Sequence, residues 1–229
     1  MLRKIKKFIL NLLFPLQCLG CRHEGFWLCE TCFKKIRFGA EKNHNLITPN
    51  LEKVFIAGDY DDPLLSEAIK RFKYGLSADL GIVLGRFLIL FWNGQLSLPE
   101  NSDLKDAVLI PIPLSRKRFR WRGFNQSEIL AQELATAFNS PVNLGLKRNR
   151  YSQPQAELSE KARIENIKNS FSWAGPESEK NEKNLENLEG KTIILIDDVV
   201  TTGATLNEAA LILKKAGAGK VYGLVLAKG

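Results

Sequence analysis

No cysteine stands beyond residue 32, and the chain has only two histidines, His23 and His44. Thiolate nucleophiles are thereby excluded from the rest of the chain, and imidazole acid–base chemistry is confined to its first fifth. Long apolar runs are missing too. The stretch from Ile82 to Trp92 is too short to span a bilayer and contains Arg86, so it reads as a core helix. No internal repeat and no GxGxxG occurs. Gly190-Lys191-Thr192 has the ending of a P-loop, but residue 185 is Leu where the first glycine belongs, and the triplet precedes its strand.

The N-terminus, MLRKIKKFILNLLFPLQC, has a basic start but lacks a secretory cleavage site, and Asn11 and Pro15 interrupt its apolar stretch. Gln17 precedes Cys18, where a lipoprotein signal wants a small residue. Leu2, Ile5, Ile9, Leu12 and Leu13 fall on one helical face, with Arg3, Lys4, Lys6, Lys7 and Asn11 elsewhere. The expectation is a short amphipathic helix docked on its own protein, with a peripheral membrane contact as the alternative. A cytoplasmic protein follows, peripheral at the inner membrane face on that alternative.

What is present is a chain of 229 residues, 45% hydrophobic and 25% charged, enough for one substantial core and a small satellite. The net charge of +8 is uneven: residues 1–45 hold nine Lys or Arg against Glu24, Glu30 and Glu41. A second basic run, RKRFRWR, covers Arg116 to Arg122. Anionic partners fit this balance, whether a phosphorylated metabolite, a nucleic acid or an acidic membrane.

All four cysteines form two pairs, Cys18-x2-Cys21 and Cys29-x2-Cys32, separated by seven residues. Two such turns present four thiolates in the geometry of a tetrahedral zinc site; paired disulfides and iron–sulfur or redox use are the alternatives. Four thiolates fill the coordination sphere, so the metal is expected to be structural and to supply most of the folding free energy of the residues around it. His23 and His44 are left with solvated roles.

Beyond residue 50, apolar strands alternate with helical patterns. Strands are predicted at 54–58, 107–112, 141–146, 192–196 and 221–227, and helices at 61–75, 78–92, from Asn125 to about Phe138, and 203–216. Asn125 with Glu128 reads as a capping box. Continuous apolar strands separated by helices indicate an α/β fold, a parallel sheet covered on both faces. Residues 147–173 break the rhythm and suit a lid; 175–191 read as a solvated loop.

The run IILIDDVVTTGATL places Asp197 and Asp198 at the carboxyl end of a strand, where parallel sheets bind ligands. The following loop opens a helix, whose free N–H groups favour an anion. Gly203 allows a positive φ, and Thr201, Thr202 and Thr205 add hydroxyl donors beside Ala204. Carboxylates repel phosphate but accept from vicinal hydroxyls, so a ribose 5-phosphate satisfies both halves. A turn-capping role explains one or two of these residues but not the ordered set.

IILIDDVVTTGAT resembles the signature that binds 5-phosphoribosyl 1-pyrophosphate (PRPP) in type I phosphoribosyltransferases. LLFPLQCLGC with LCETC, PIPLSRKRFRWRGFNQ and QAELSEKARIENIKNSF, in that order, resemble the ComF family over nearly the whole chain. The resemblance implies a type I phosphoribosyltransferase-like α/β domain over 50–229, preceded by a zinc-binding module within 1–45. It implies ribose contacts from Asp197 and Asp198, 5-phosphate contacts from 201–205, and Mg²⁺ carried by the substrate. Pyrophosphate falls to the basic loop after the 107–112 strand, with Ser115, Arg116 and Arg122; Lys147, Arg148, Arg150, Gln155, Arg163 and Asn166 belong to the lid. A role in natural transformation is implied, with single-stranded DNA and competence-machinery proteins as partners. Neither motif nor composition names an acceptor, and the family leaves room for a protein that binds PRPP without transferring it; the alternative is a non-catalytic nucleic-acid-binding accessory protein whose PRPP-type site is regulatory or vestigial.

Overall fold

The computed structural model describes residues 16–39, 46, 48–74, 77–149, 167, 169–174 and 187–229. The expected N-terminal helix, His44, Arg150, Gln155, Arg163 and Asn166 lie outside these residues. After a single short turn of helix α1 (Glu30–Phe33) come β1 (Val54–Asp59), α2 (Pro63–Tyr74) and α3 (Leu80–Leu96). Strand β2 (Val108–Pro111) is followed by α4 (Arg116–Arg122) and α5 (Gln126–Phe138), then β3 (Leu146–Arg148) and β4 (Phe171–Trp173). Strand β5 (Ile193–Val200), α6 (Ala204–Lys215) and β6 (Val221–Lys228) complete the order.

The sheet runs β1-β6-β5-β2, all parallel. Its strands are apolar on both faces because helices cover both. Ile194 and Ile196 join α2, α3 and α5 in one buried cluster, while Ile193 and Leu195 join α6 in the other. Asp198 meets Lys73 of α2 and Asp197 meets Ser127 of α5, so both carboxylates contact helices of the first layer. Strand β2 stops at Pro111, paired with Ile196, so the two aspartates lie past the end of that neighbour.

Helices α3 and α5 approach closely through two glycines. A Cβ on Gly81 would meet Ile129 Cγ2 at 2.3 Å, and one on Gly85 would meet Glu133 Cβ at 2.7 Å. This contact seats the first turn of α5 beside β5. The cysteine-bearing segment is not a free appendage: Cys18, Leu28, Cys32, Phe33 and Ile36 belong to the same buried cluster as α2 and α3. Glu30 also pairs with Arg86 of α3.

Three local expectations need correction. The basic run 116–122, expected as a loop, is helical because the Ser115 hydroxyl accepts from the Arg118 N–H and Gly123 closes the helix at φ 78°. The strand expected over 141–146 reduces to one parallel bridge, Leu109 with Val142, and to Leu146 at the start of β3, since Asn143 Oδ1 accepts from the Gly145 N–H and turns the chain between them. Asn125 makes no capping box; its Nδ2 donates to the Ile112 carbonyl at 3.1 Å and ties the start of α5 to the end of β2.

Candidate functional site: an acidic pair facing a basic wall

A cleft of about 520 Å³ opens past the end of β2. Its floor is Asp197, Asp198, Thr201 and Thr205; its walls carry Lys73, Lys117, Arg118, Arg122 and Arg148. Five cations face two carboxylates, a surplus suited to a ligand with several negative charges.

Asp197 accepts from the Ser127 hydroxyl at 2.9 Å and from the Asp198 N–H at 2.9 Å. Burial and the adjacent Asp198 nevertheless push its carboxyl up to about 6. Asp198 pairs with Lys73 Nζ at 2.9 Å. Burial works against the charge on Lys73, but Asp198 and then Asp197 outweigh it and hold the ammonium above its ordinary range. Arg148, on β3, is drawn down to about 10 by burial and by Arg118, and its guanidinium lies 5.1 Å from the Phe171 ring. Arg122 donates to Gln126 Oε1 at 2.9 Å, and its Nε is buried without a hydrogen-bond partner.

Beyond the aspartates the chain folds into a small hollow lined by Thr201, Gly203, Ala204 and Thr205. Gly203 holds φ 79°, and its bare Cα leaves room for Thr48, whose Cγ2 would stand 2.7 Å from an added Cβ. The Thr202 hydroxyl accepts from the Ala204 N–H at 3.4 Å and so caps its own loop. Asn50 donates twice to Asn207 Oδ1, each at 3.1 Å, fixing Asn50 against α6.

Of the residues expected from sequence, Asp197, Asp198, Thr201, Thr205, Arg122 and Arg148 share this cleft. Ser115 is spent as a buried helix cap, and Arg116 lines a separate depression with Leu114, Phe119 and Arg120. Lys73 and Ser127 were not expected, whereas Lys117 and Arg118 belong to the basic run already assigned to pyrophosphate. The first two lie far from the aspartates in sequence, and only the fold brings them near.

At the front of the chain, the Sγ atoms of Cys18, Cys21, Cys29 and Cys32 all lie within 4.8 Å of one another. A tetrahedral zinc site separates its sulfurs by about 3.8 Å, so the four fit a metal ion. Burial raises the Cys18 thiol, but the N–H groups of Cys21, Cys29 and Gly20 overcome it and bring it to about 6; Cys32 is pushed up to about 12, first by burial. His23 is exposed and stacks on Phe26, apart from the quartet.

The parallel sheet flanked by helices goes with a phosphoribosyl transferase domain, and the family of that description matches residues 125–229. The chain belongs to the family of competence protein F, also written ComF. It is 35% identical over 222 residues to competence protein F of Haemophilus influenzae, covering 92% of this chain and 90% of that one. It is 30% identical to the DNA utilization protein YhgH of Escherichia coli, with 90% and 94% covered. Competence protein ComFC of Bacillus subtilis is 33% identical over 158 residues, 69% of this chain and 56% of the relative. Among the described residues, no helix is long and apolar enough to cross a membrane.

Proposed function

We propose that the cleft binds PRPP together with Mg²⁺. The observation that carries this reading is the placement of two carboxylates between a helix-opening hydroxyl loop and a wall of cations, all within one cleft. Asp197 and Asp198 would take the ribose hydroxyls, and residues 201–205 the 5-phosphate. Pyrophosphate would lie against Arg122, Lys117 and Arg118, with Ser115 acting through the helix it caps and Arg116 outside the contact. Arg148 would close the opposite side, with Gln155, Arg163 and Asn166 completing a lid. Mg²⁺ would sit chiefly among the phosphate oxygens, where it offsets their charge; transfer would then displace pyrophosphate from the anomeric carbon by an acceptor.

Zinc on the four cysteines would be structural. The names of the relatives, competence and DNA utilization proteins, support a role in natural transformation and in handling incoming DNA. Thermal unfolding with PRPP and Mg²⁺ tests the central claim. A ligand at about a hundred times its Kd stabilises by about 2.7 kcal/mol, so the melting temperature rises by several degrees. No rise, or an equal rise in Asp197→Ala/Asp198→Ala, sinks the reading.

Single-strand contact is a second reading of the same basic wall, continued onto its exposed outer side. Helix α4 exposes Phe119 and Trp121 between Arg116, Lys117, Arg118 and Arg120, a mixture that can stack bases and neutralise phosphates. Binding of oligothymidylate across a salt series would show a steep slope; a flat one would dismiss it.

A further inference from the structure

Lys73 is the charged group of the cleft that nothing so far has used. It stands in the last turn of α2, a helix locked in the core by Leu65, Ala68, Ile69 and Phe72, each fully buried, with Ile69 one turn before it on the same face. The position of its ammonium is therefore set by packing, not by a free surface rotamer. The side chain is 16% exposed and that of Asp198 11%, so the 2.9 Å pair is nearly dry. A buried lysine is expensive unless paired, and this one is paired with a residue expected to bind ligand.

Each aspartate also has an oxygen already committed: Asp198 Oδ1 to Lys73, and Asp197 Oδ1 to Ser127 and the Asp198 amide. Two adjacent carboxylates would ordinarily attract a divalent ion, but a bare ion here would meet engaged oxygens and the fields of Lys73, Arg122 and Arg148. Mg²⁺ in particular asks for near-octahedral oxygen ligands and gives up water reluctantly.

We propose that Lys73 is the resident cation of the acidic pair: its ammonium takes the place that a bare divalent ion would occupy at Asp198, so the cleft admits such an ion only with a phosphate-bearing ligand. Lys73 is thus a specificity-determining residue, making the site discriminate between free metal and metal carried on phosphate oxygens. Exclusion of the bare ion stands on the geometry alone; admission of the carried ion rests on the PRPP reading above.

The test is Mn²⁺ binding by the zinc-loaded full chain, followed by the loss of the free-ion paramagnetic resonance signal. Wild type and Lys73→Arg are expected to bind Mn²⁺ weakly, and Lys73→Met to gain one site at least about tenfold tighter. Asp198→Asn in the Lys73→Met background should abolish that site. Lys73→Gln, which keeps a polar end, supplies the same comparison if the methionine variant fails to fold. Equal Mn²⁺ affinity in wild type and Lys73→Met or Lys73→Gln, or a gain that survives Asp198→Asn, overturns the proposal. A final arm adds PRPP to wild type. Recruitment of Mn²⁺ supports both readings; no recruitment beside a gained bare-ion site in the variant rejects PRPP as ligand and leaves the role of Lys73 standing.

Discussion

At the scale of the residue, Asp197 makes the fold sensitive to protons. Its carboxyl titrates near 6 in the folded chain, above the ordinary range, first because it is buried and second because Asp198 lies beside it. A raised acid in the folded state binds protons that the unfolded chain has already lost, so between about pH 4 and pH 6 this group makes stability fall as pH rises. Urea midpoints measured from pH 4 to 8 should show that downward slope in wild type and a flatter curve in Asp197→Asn, with the variant at least as stable at pH 7. Gly203 sits at the other end of the loop. Gly203→Ala combines a left-handed φ with a clash against Thr48 and should lower stability by about 1–3 kcal/mol, read from denaturant unfolding. Asp197, Asp198 and Gly203 were legible in the sequence because their chemistry is local: an acidic pair, a glycine and a helix start within a few positions. Lys73 and Ser127 were not, since a lysine in a helix and a serine after a cap look the same whether they face solvent or a carboxylate.

At the scale of the element, α3 offers a built-in comparison. Gly85 and Gly94 lie in the same helix, yet an added Cβ at Gly85 strikes Glu133 at 2.7 Å, whereas at Gly94 nothing lies within 4 Å. Gly94→Ala should therefore stabilise by roughly 0.5–1 kcal/mol through helix propensity. Gly85→Ala should destabilise by about 1–3 kcal/mol by forcing α5 away, and with it Ser127; paired urea melts check both signs. Helix and strand positions around the sheet followed from hydrophobic period, and boundaries moved by only a few residues. The exceptions share a cause. The run 116–122 mixes charges and rings without a clear apolar stripe, so its helix rests on the Ser115 cap and Gly123 stop. At 141–146 the apolar pattern is strand-like, but the Asn143 side chain competes for the backbone. Asn125 and Glu128 have capping-box spacing, yet the amide is turned so that its Nδ2 donates to the Ile112 carbonyl and its Oδ1 caps nothing.

At the scale of the whole molecule, the cysteine quartet and the cleft are joined by one core. Because Cys18, Cys32 and Phe33 pack in the same cluster as Phe72 and Phe87, stripping metal should lower the single main melting transition of the protein. Calorimetry before and after chelation decides; a separate small transition with the main one unmoved would show an independent module. Cysteine spacing reveals the ligands but not the hydrophobic backs of their turns, so this shared packing is not legible in the sequence.

The strand order β1-β6-β5-β2 also bears on how the chain can be cut. The stretch matched to the phosphoribosyl transferase domain begins at residue 125, after β1 and β2. Residues 125–229 alone would keep β5 and β6 as a pair with both outer edges bare, an arrangement prone to aggregation. A fragment trimmed to the bounds of that match would therefore lose both outer strands of its sheet, and expression of the domain needs the chain from β1 onward.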